Sequence, residues 1–213
     1  MKFGKIDDPG TVDLSLPPDT AETQSILKEN RREADMPSIY IGCPTWNKKN
    51  LAGFYPKGTK DELSFYATRF NCIELNASYY RQFPPEQFAT WRSKVPEYFR
   101  FFTKITQEIS QFKRLKNTDQ QVVAYIDAAS QLEDNWGGTF LQMNENFTPK
   151  SFDNLRTFIE NWPNGLPLAV ELRHHAWYDD PAVYNELTDL YRGNDITHIL
   201  TDTPGRRDLM HMD

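Results

Sequence analysis

Leu166-Pro167-Leu168-Ala169-Val170-Glu171-Leu172-Arg173-His174-His175-Ala176-Trp177 opens as an apolar run and closes on a carboxylate, a guanidinium, two imidazoles and an indole. A short apolar run closed by polar groups reads as a buried β-strand that delivers those groups to one rim of a parallel sheet. The pattern recurs along the chain. Cys72-Ile73-Glu74-Leu75-Asn76 leads into Ala77-Ser78-Tyr79-Tyr80, Phe101-Phe102-Thr103 ends on Lys104, Phe140-Leu141 ends on Gln142, and Ile199-Leu200-Thr201 ends on Asp202. Strands are therefore expected at about 39–43, 72–76, 100–105, 138–143, 167–173 and 195–202. Amphipathic helices are expected between them at about 60–70, 85–94, 119–134, 151–161 and 180–192, the third with Val122, Val123, Ile126, Ala129 and Leu132 on one face.

Strand starts fall about 30 residues apart, the length of a βαβ unit. Such units build either an open doubly wound sheet or a (β/α) barrel. A doubly wound sheet concentrates its site at one switch point, whereas here polar residues close nearly every strand, so an α/β fold of the TIM-type barrel is expected. A closed barrel uses about eight units and ~250 residues. This chain of 213 residues ends soon after its sixth expected strand. The barrel is thus expected to be incomplete, with unpaired edge strands. Residues 1–37, rich in proline and charge with one helical signal from Thr20 to Arg32, read as a polar arm, and residues 38–213 as a single partial-barrel domain.

With 38% apolar and 25% charged residues the chain carries one sizeable core. A net charge of −6 and a pI near 5.3 argue against a dedicated nucleic-acid binder, which needs clustered Lys and Arg to neutralise phosphates. Cys43 and Cys72 have neither disulfide-framework nor zinc-ligand spacing and are expected as reduced thiols. No run approaches the ~18 apolar residues of a membrane span. A cytoplasmic protein without membrane attachment is expected. No Gly-x-Gly-x-x-Gly follows a strand and no Walker motif occurs, so the sequence names no nucleotide cofactor.

Glu74 and Asn76 are i and i+2 on one strand and share a face, as do Glu171 and Arg173. Glu74 lies within an apolar stretch and is expected to be buried, paired with Lys104 or Arg173, tuned for proton transfer, or both. Glu74, Glu171 and Asp202 around one rim, with Lys104 and Arg173 between them, suit general acid/base work or a hard cation held by oxygen. Adjacent His174 and His175 lack ligand spacing, so no transition-metal site is expected. Trp46, with Phe54 and Tyr55 in the loop after the first strand, suits a flat, partly apolar ligand, and packing of that loop on the barrel is the equal alternative. Cys43 as a nucleophile is a lesser alternative. Thr203-Pro204-Gly205-Arg206-Arg207 reads as a solvated turn or an anion site.

Tyr40-Ile41-Gly42-Cys43 with Trp46, Phe54-Tyr55-Pro56, Phe70-Asn71-Cys72-Ile73-Glu74-Leu75-Asn76-Ala77-Ser78-Tyr79-Tyr80, Trp91, Phe101-Phe102-Thr103-Lys104, Phe140-Leu141-Gln142, Glu171-Leu172-Arg173-His174 with Trp177, and Asp202-Thr203 together resemble the YecE-like family, domain of unknown function 72. The match runs in order from about Ser38 to His211. The resemblance implies a TIM barrel and assigns no reaction. Two departures stand out. Family members often carry a Thr-His or Ser-His pair ahead of Arg-Leu, where this chain has Ser110-Gln111 ahead of Arg114-Leu115, and the family pattern continues into further strands, so the chain resembles a C-terminally truncated member.

The resulting expectation is an enzyme, a hydrolase or lyase, with Glu74 and Glu171 as acid/base carboxylates and Lys104 and Arg173 as electrostatic stabilisers. Trp46, Asn76, Tyr79, Gln142, His174, Trp177 and Asp202 are expected to bind a small polar ligand, phosphorylated or sugar-like. The alternative is a non-catalytic ligand-binding or regulatory barrel.

Overall fold

Ile73, Leu75, Phe101, Leu141 and Val170 are all fully buried, and each belongs to a short parallel strand whose alternate side chains point the other way. The computed structural model describes residues 18–19, 21–29, 38–203 and 206–207. The chain divides into two compact units, Ile39–His198 and a second formed by Met1–Ser38 with Ile199–Asp213.

In the larger unit the elements follow one another as α2 (Glu62–Tyr66), β1 (Cys72–Leu75), α3 (Ala77–Tyr80), α4 (Pro85–Arg92), β2 (Arg100–Lys104), a π turn at Glu108–Phe112, α5 (Asp119–Ala129), a 3-10 turn at Ser130–Asn135, β3 (Trp136–Gln142), α6 (Phe152–Glu160), β4 (Leu168–Glu171), a 3-10 turn at His175–Trp177, α7 (Pro181–Gly193) and β5 (Thr197–His198). The smaller unit carries α1 (Ala21–Glu29) and the antiparallel pair β6 (Asp202–Thr203) and β7 (Arg206–Arg207). Helix starts follow local chemistry. The Asp61 carboxylate accepts from Ser64 N at 3.0 Å ahead of α2, and Asp180 accepts from Ala182 N at 2.9 Å ahead of α7, where Pro181 occupies the first turn.

β1 to β5 form one sheet in sequential order, every neighbouring pair parallel. A doubly wound sheet would reverse its order at a switch point. Sequential order with a helix between successive strands is the winding of a TIM-type barrel, and the fold is α/β of that kind. The helix-facing side carries the core. One cluster joins Leu141, Val170 and Leu172 to Leu155, Trp177 and Leu187, and another joins Ile73, Leu75 and Phe101 to Phe88, Trp91 and Leu132. The opposite parity carries Glu74, Phe102, Lys104, Phe140, Gln142 and Glu171.

Two expected strands differ. Residues 39–43 run extended beside β1, but only Cys43 O, accepting from Glu74 N at 3.2 Å, joins the main chains. Side chains take the other places: the Asn71 amide pairs with Ile41 N (2.7 Å) and Ile39 O (2.8 Å), and Tyr66 Oη accepts from Cys43 N (2.6 Å). At 195–202 the parallel strand stops at His198, and Asp202 belongs to β6 instead. The helix expected over 119–134 stops being α at Ala129, and Glu133 takes a left-handed φ of 48°. Val123 is exposed, and the buried face is Tyr125, Ala128, Ala129 and Leu132. Tyr125 was masked in the sequence by its hydroxyl, which bonds Thr103 Oγ1 at 2.6 Å across β2.

Candidate functional site

Residues from three strand ends meet in one hydrogen-bonded line. Arg173 Nε donates to Glu171 Oε1 at 2.8 Å, Gln142 Nε2 donates to Glu171 Oε2 at 2.5 Å, and Lys104 Nζ donates to Gln142 Oε1 at 2.8 Å. The neighbours dictate how the Gln142 amide points. An ammonium only donates and a carboxylate only accepts, so oxygen faces Lys104 and nitrogen faces Glu171. The register supplies the meeting, since Gln142 pairs with Glu171 and Lys104 with Phe140.

Lys104 is 8% exposed and makes no ion pair among the described residues. Its Nζ lies 4.7 Å from the Tyr79 ring centre and 5.5 Å from that of Phe140, so aromatic faces stand where a carboxylate would be usual. Burial holds its pKa below the ordinary lysine value, Glu74 and Glu171 oppose the shift, and Arg173 adds to it. The Tyr79 hydroxyl is raised by burial and by Tyr80, against the pull of Arg173.

Glu74 is exposed, contrary to the expectation of a buried carboxylate, although Lys104, Phe140 and Glu171 on the same sheet face are buried. It bonds Asn76 Nδ2 at 2.8 Å, an amide that also reaches Pro44 O at 3.3 Å, and Lys104 bonds Gln142 rather than Glu74. Two supporting residues went unnoticed as site members in the sequence. Buried Ser78 Oγ donates to Leu75 O (2.9 Å) or Lys104 O (2.7 Å), tying β1 to β2, and Gln111 Nε2 in the π turn donates to Gln142 O at 2.9 Å. In the sequence Gln111 stands out as a departure from the histidine of a family pattern. π turns often sit at functional sites because they push one side chain out of helical register.

A cavity of about 500 Å³ is bounded by Tyr79, Tyr80, Gln107, Phe112, Gln121 and Ala124, and none of the four residues of the line borders it. Tyr79 belongs both to this cavity and to the surroundings of Lys104.

Other expected ligand contacts stand apart. Trp177 is fully buried, donates from Nε1 to Phe147 O at 2.7 Å, and stacks on Phe147, so it is a core residue with no face for a ligand. Trp46 packs edge-on against Trp91 at 5.9 Å, and Phe54 stacks on Phe70 at 5.7 Å. His174 Nδ1 accepts from Ala176 N at 3.1 Å and caps the turn leading to Trp177. The side chains of Asp202, Arg206 and Arg207, with Pro204 and Gly205, lie outside the described residues. Cys43 and Cys72 are free thiols. Among the described residues, no group of three or more His, Cys, Asp or Glu is placed to hold a metal ion, and no helix is long and apolar enough to cross a membrane.

The family model described as "Protein of unknown function DUF72" matches residues 40–212. The chain belongs to the DUF72 family. It is 31% identical over 143 residues to UPF0759 protein YecE of Escherichia coli K12, covering 66% of this chain and 50% of that relative. It is 25% identical over 175 residues to UPF0759 protein YunF of Bacillus subtilis 168, covering 78% and 61%. The chain thus spans half to about three-fifths of the length of these family members. Crystal structures of DUF72 family proteins share the fold: one from Enterococcus faecalis V583 superposes with a TM-score of 0.65 at 22% identity, over 78% of this chain and 61% of that one. Another, from Thermotoga maritima MSB8, gives 0.63 at 26%, over 76% and 64%.

Proposed function

We propose that the strand-end line is an enzyme active site for a small polar substrate, phosphorylated or sugar-like, worked by hydrolase or lyase chemistry. The observation that carries this reading is the continuous bond sequence Arg173–Glu171–Gln142–Lys104, drawn from three strands at the rim where barrel enzymes hold their sites. Glu171, with both oxygens engaged, orients Gln142 and Arg173. Glu74, exposed and held by one amide, is the acid/base carboxylate. Lys104 and Arg173 supply positive charge where negative charge develops. Tyr79 and Asn76 position the substrate, and the cavity beside Tyr79 takes its less polar end.

A second reading, a binding barrel without catalysis, draws on Gln111. Its non-titrating amide occupies the flank of Gln142 and is spent on a backbone carbonyl. Both readings meet one experiment: thermal unfolding of the protein against pooled phosphate esters, sugars and other metabolites, followed by turnover assays on each hit. A ligand at ~100 times its Kd adds about 2.7 kcal/mol of stability. Stabilisation of the wild type that Lys104→Met removes supports the site, and product formation then selects the enzyme. Stabilisation equal in wild type and Lys104→Met overturns both.

A further inference from the structure

We infer that Lys104 is an imine-forming nucleophile and that the substrate is a carbonyl compound, an open-chain aldose or ketose phosphate or a 2-oxo acid. This deepens the proposed active site and rests on it. A buried lysine kept for structure is normally matched by a carboxylate, because an unpaired buried ammonium is costly. Lys104 instead has one neutral amide oxygen at 2.8 Å and the faces of Tyr79 and Phe140. Its formal charges, Glu74, Glu171 and Arg173, act on it without an ion pair. Such surroundings make it easier for the ammonium that rests on Gln142 to release a proton and attack as the amine, as in other lysine nucleophiles desolvated among apolar groups.

The step balances within the site. Nζ adds to the carbonyl carbon to give a carbinolamine, and loss of one water, with the carbonyl oxygen and two hydrogens originating on Nζ, leaves a carbon–nitrogen double bond. Protonated, that imine draws electrons from the neighbouring C–H or C–C bond, and Glu74 takes the released proton. Gln142, turned by Glu171 so that its oxygen faces Lys104, holds Nζ toward the carbonyl.

The test is reductive trapping on the 213-residue protein. It is incubated near neutral pH with cyanoborohydride and, in turn, pyruvate, glyoxylate, dihydroxyacetone phosphate, glyceraldehyde 3-phosphate and ribose 5-phosphate, and adducts are mapped by peptide mass. The expected result is a reduced adduct on Lys104 with at least one probe, at a yield several-fold above that on exposed Lys48, Lys57 or Lys60. Labelling of Lys104 no higher than those lysines with every probe overturns the inference. If a phosphate ester still stabilises the wild type while Lys104 stays unlabelled, the imine alone falls and the proposed site stands. Lys104→Arg, which lacks the nucleophile, is expected to lose the adduct, and an adduct persisting at the same yield elsewhere in that variant overturns the assignment.

Discussion

Glu74 and Glu171 look equivalent on paper, each a carboxylate near the end of an apolar run, yet they differ in what surrounds them. Glu171 is 5% exposed and takes hydrogen bonds from Arg173 and Gln142, whereas Glu74 is exposed with one amide partner. Glu171→Ala, which removes a buried carboxylate bonded by both Arg173 and Gln142, is expected to cost about 2–4 kcal/mol, and Glu74→Gln to stay within about 0.5 kcal/mol. Urea unfolding of both variants checks this, and equal losses would contradict the assigned environments. Lys104 carries a pH signature. Its folded pKa lies below the unfolded one, so between the two the unfolded chain binds the extra proton and stability rises with pH. The penalty is present where both states are charged and disappears above about 10.5, the ordinary lysine value. Cys72, pushed up to about 11 by burial and by Cys43, runs oppositely, losing stability above the usual thiol range. The expected readout is therefore a difference: wild-type stability minus that of Lys104→Met climbs with alkaline pH, and a flat difference refutes the depressed lysine.

At the scale of elements, the extended segment 39–43 is held by a close crossing that only glycine permits. A Cβ on Gly42 would sit 2.2 Å from Cys72 O and 2.9 Å from its Sγ. Gly42→Ala is expected to cost about 1–3 kcal/mol or more through overpacking against backbone, read as a lower urea midpoint, and an unchanged midpoint would show that the segment moves aside cheaply. Trp177, whose indole closes the core beneath the turn after β4, should cost about 3–5 kcal/mol on change to Ala, measured by thermal unfolding. The strand centres 72–75, 100–104, 136–142 and 168–171 were legible because apolar runs with polar ends have few other uses in a parallel sheet. The failures sit at the margins. Periodicity registers an extended apolar stretch at 39–43 but not that Asn71 and Tyr66 would take its hydrogen bonds, and Ile199-Leu200 reads as strand although the ladder ends at His198.

For the whole molecule, the parallel sheet has an outer margin where Ile39 is 71% and Ile41 66% exposed, and at the other margin β5 spans two residues. Open apolar margins of a sheet template pairing with other chains. The 213-residue polypeptide made alone is expected to self-associate in sedimentation, and Ile41→Lys to shift it toward monomer, whereas a monomeric wild type with a sharp thermal transition would refute that expectation. By itself the sequence determined the sequential parallel winding, the helix-facing core and the sheet face that Glu74, Lys104, Gln142 and Glu171 share, because alternation along a strand assigns each side chain a face. Only the tertiary structure decided who touches whom. Which carboxylate is buried, that Lys104 bonds an amide instead of an acid, that Trp177 is core and that Gln111 supports Gln142 all depend on inter-strand register and loop packing, and these are set by distant parts of the chain brought together, which a one-dimensional pattern of residue types does not encode.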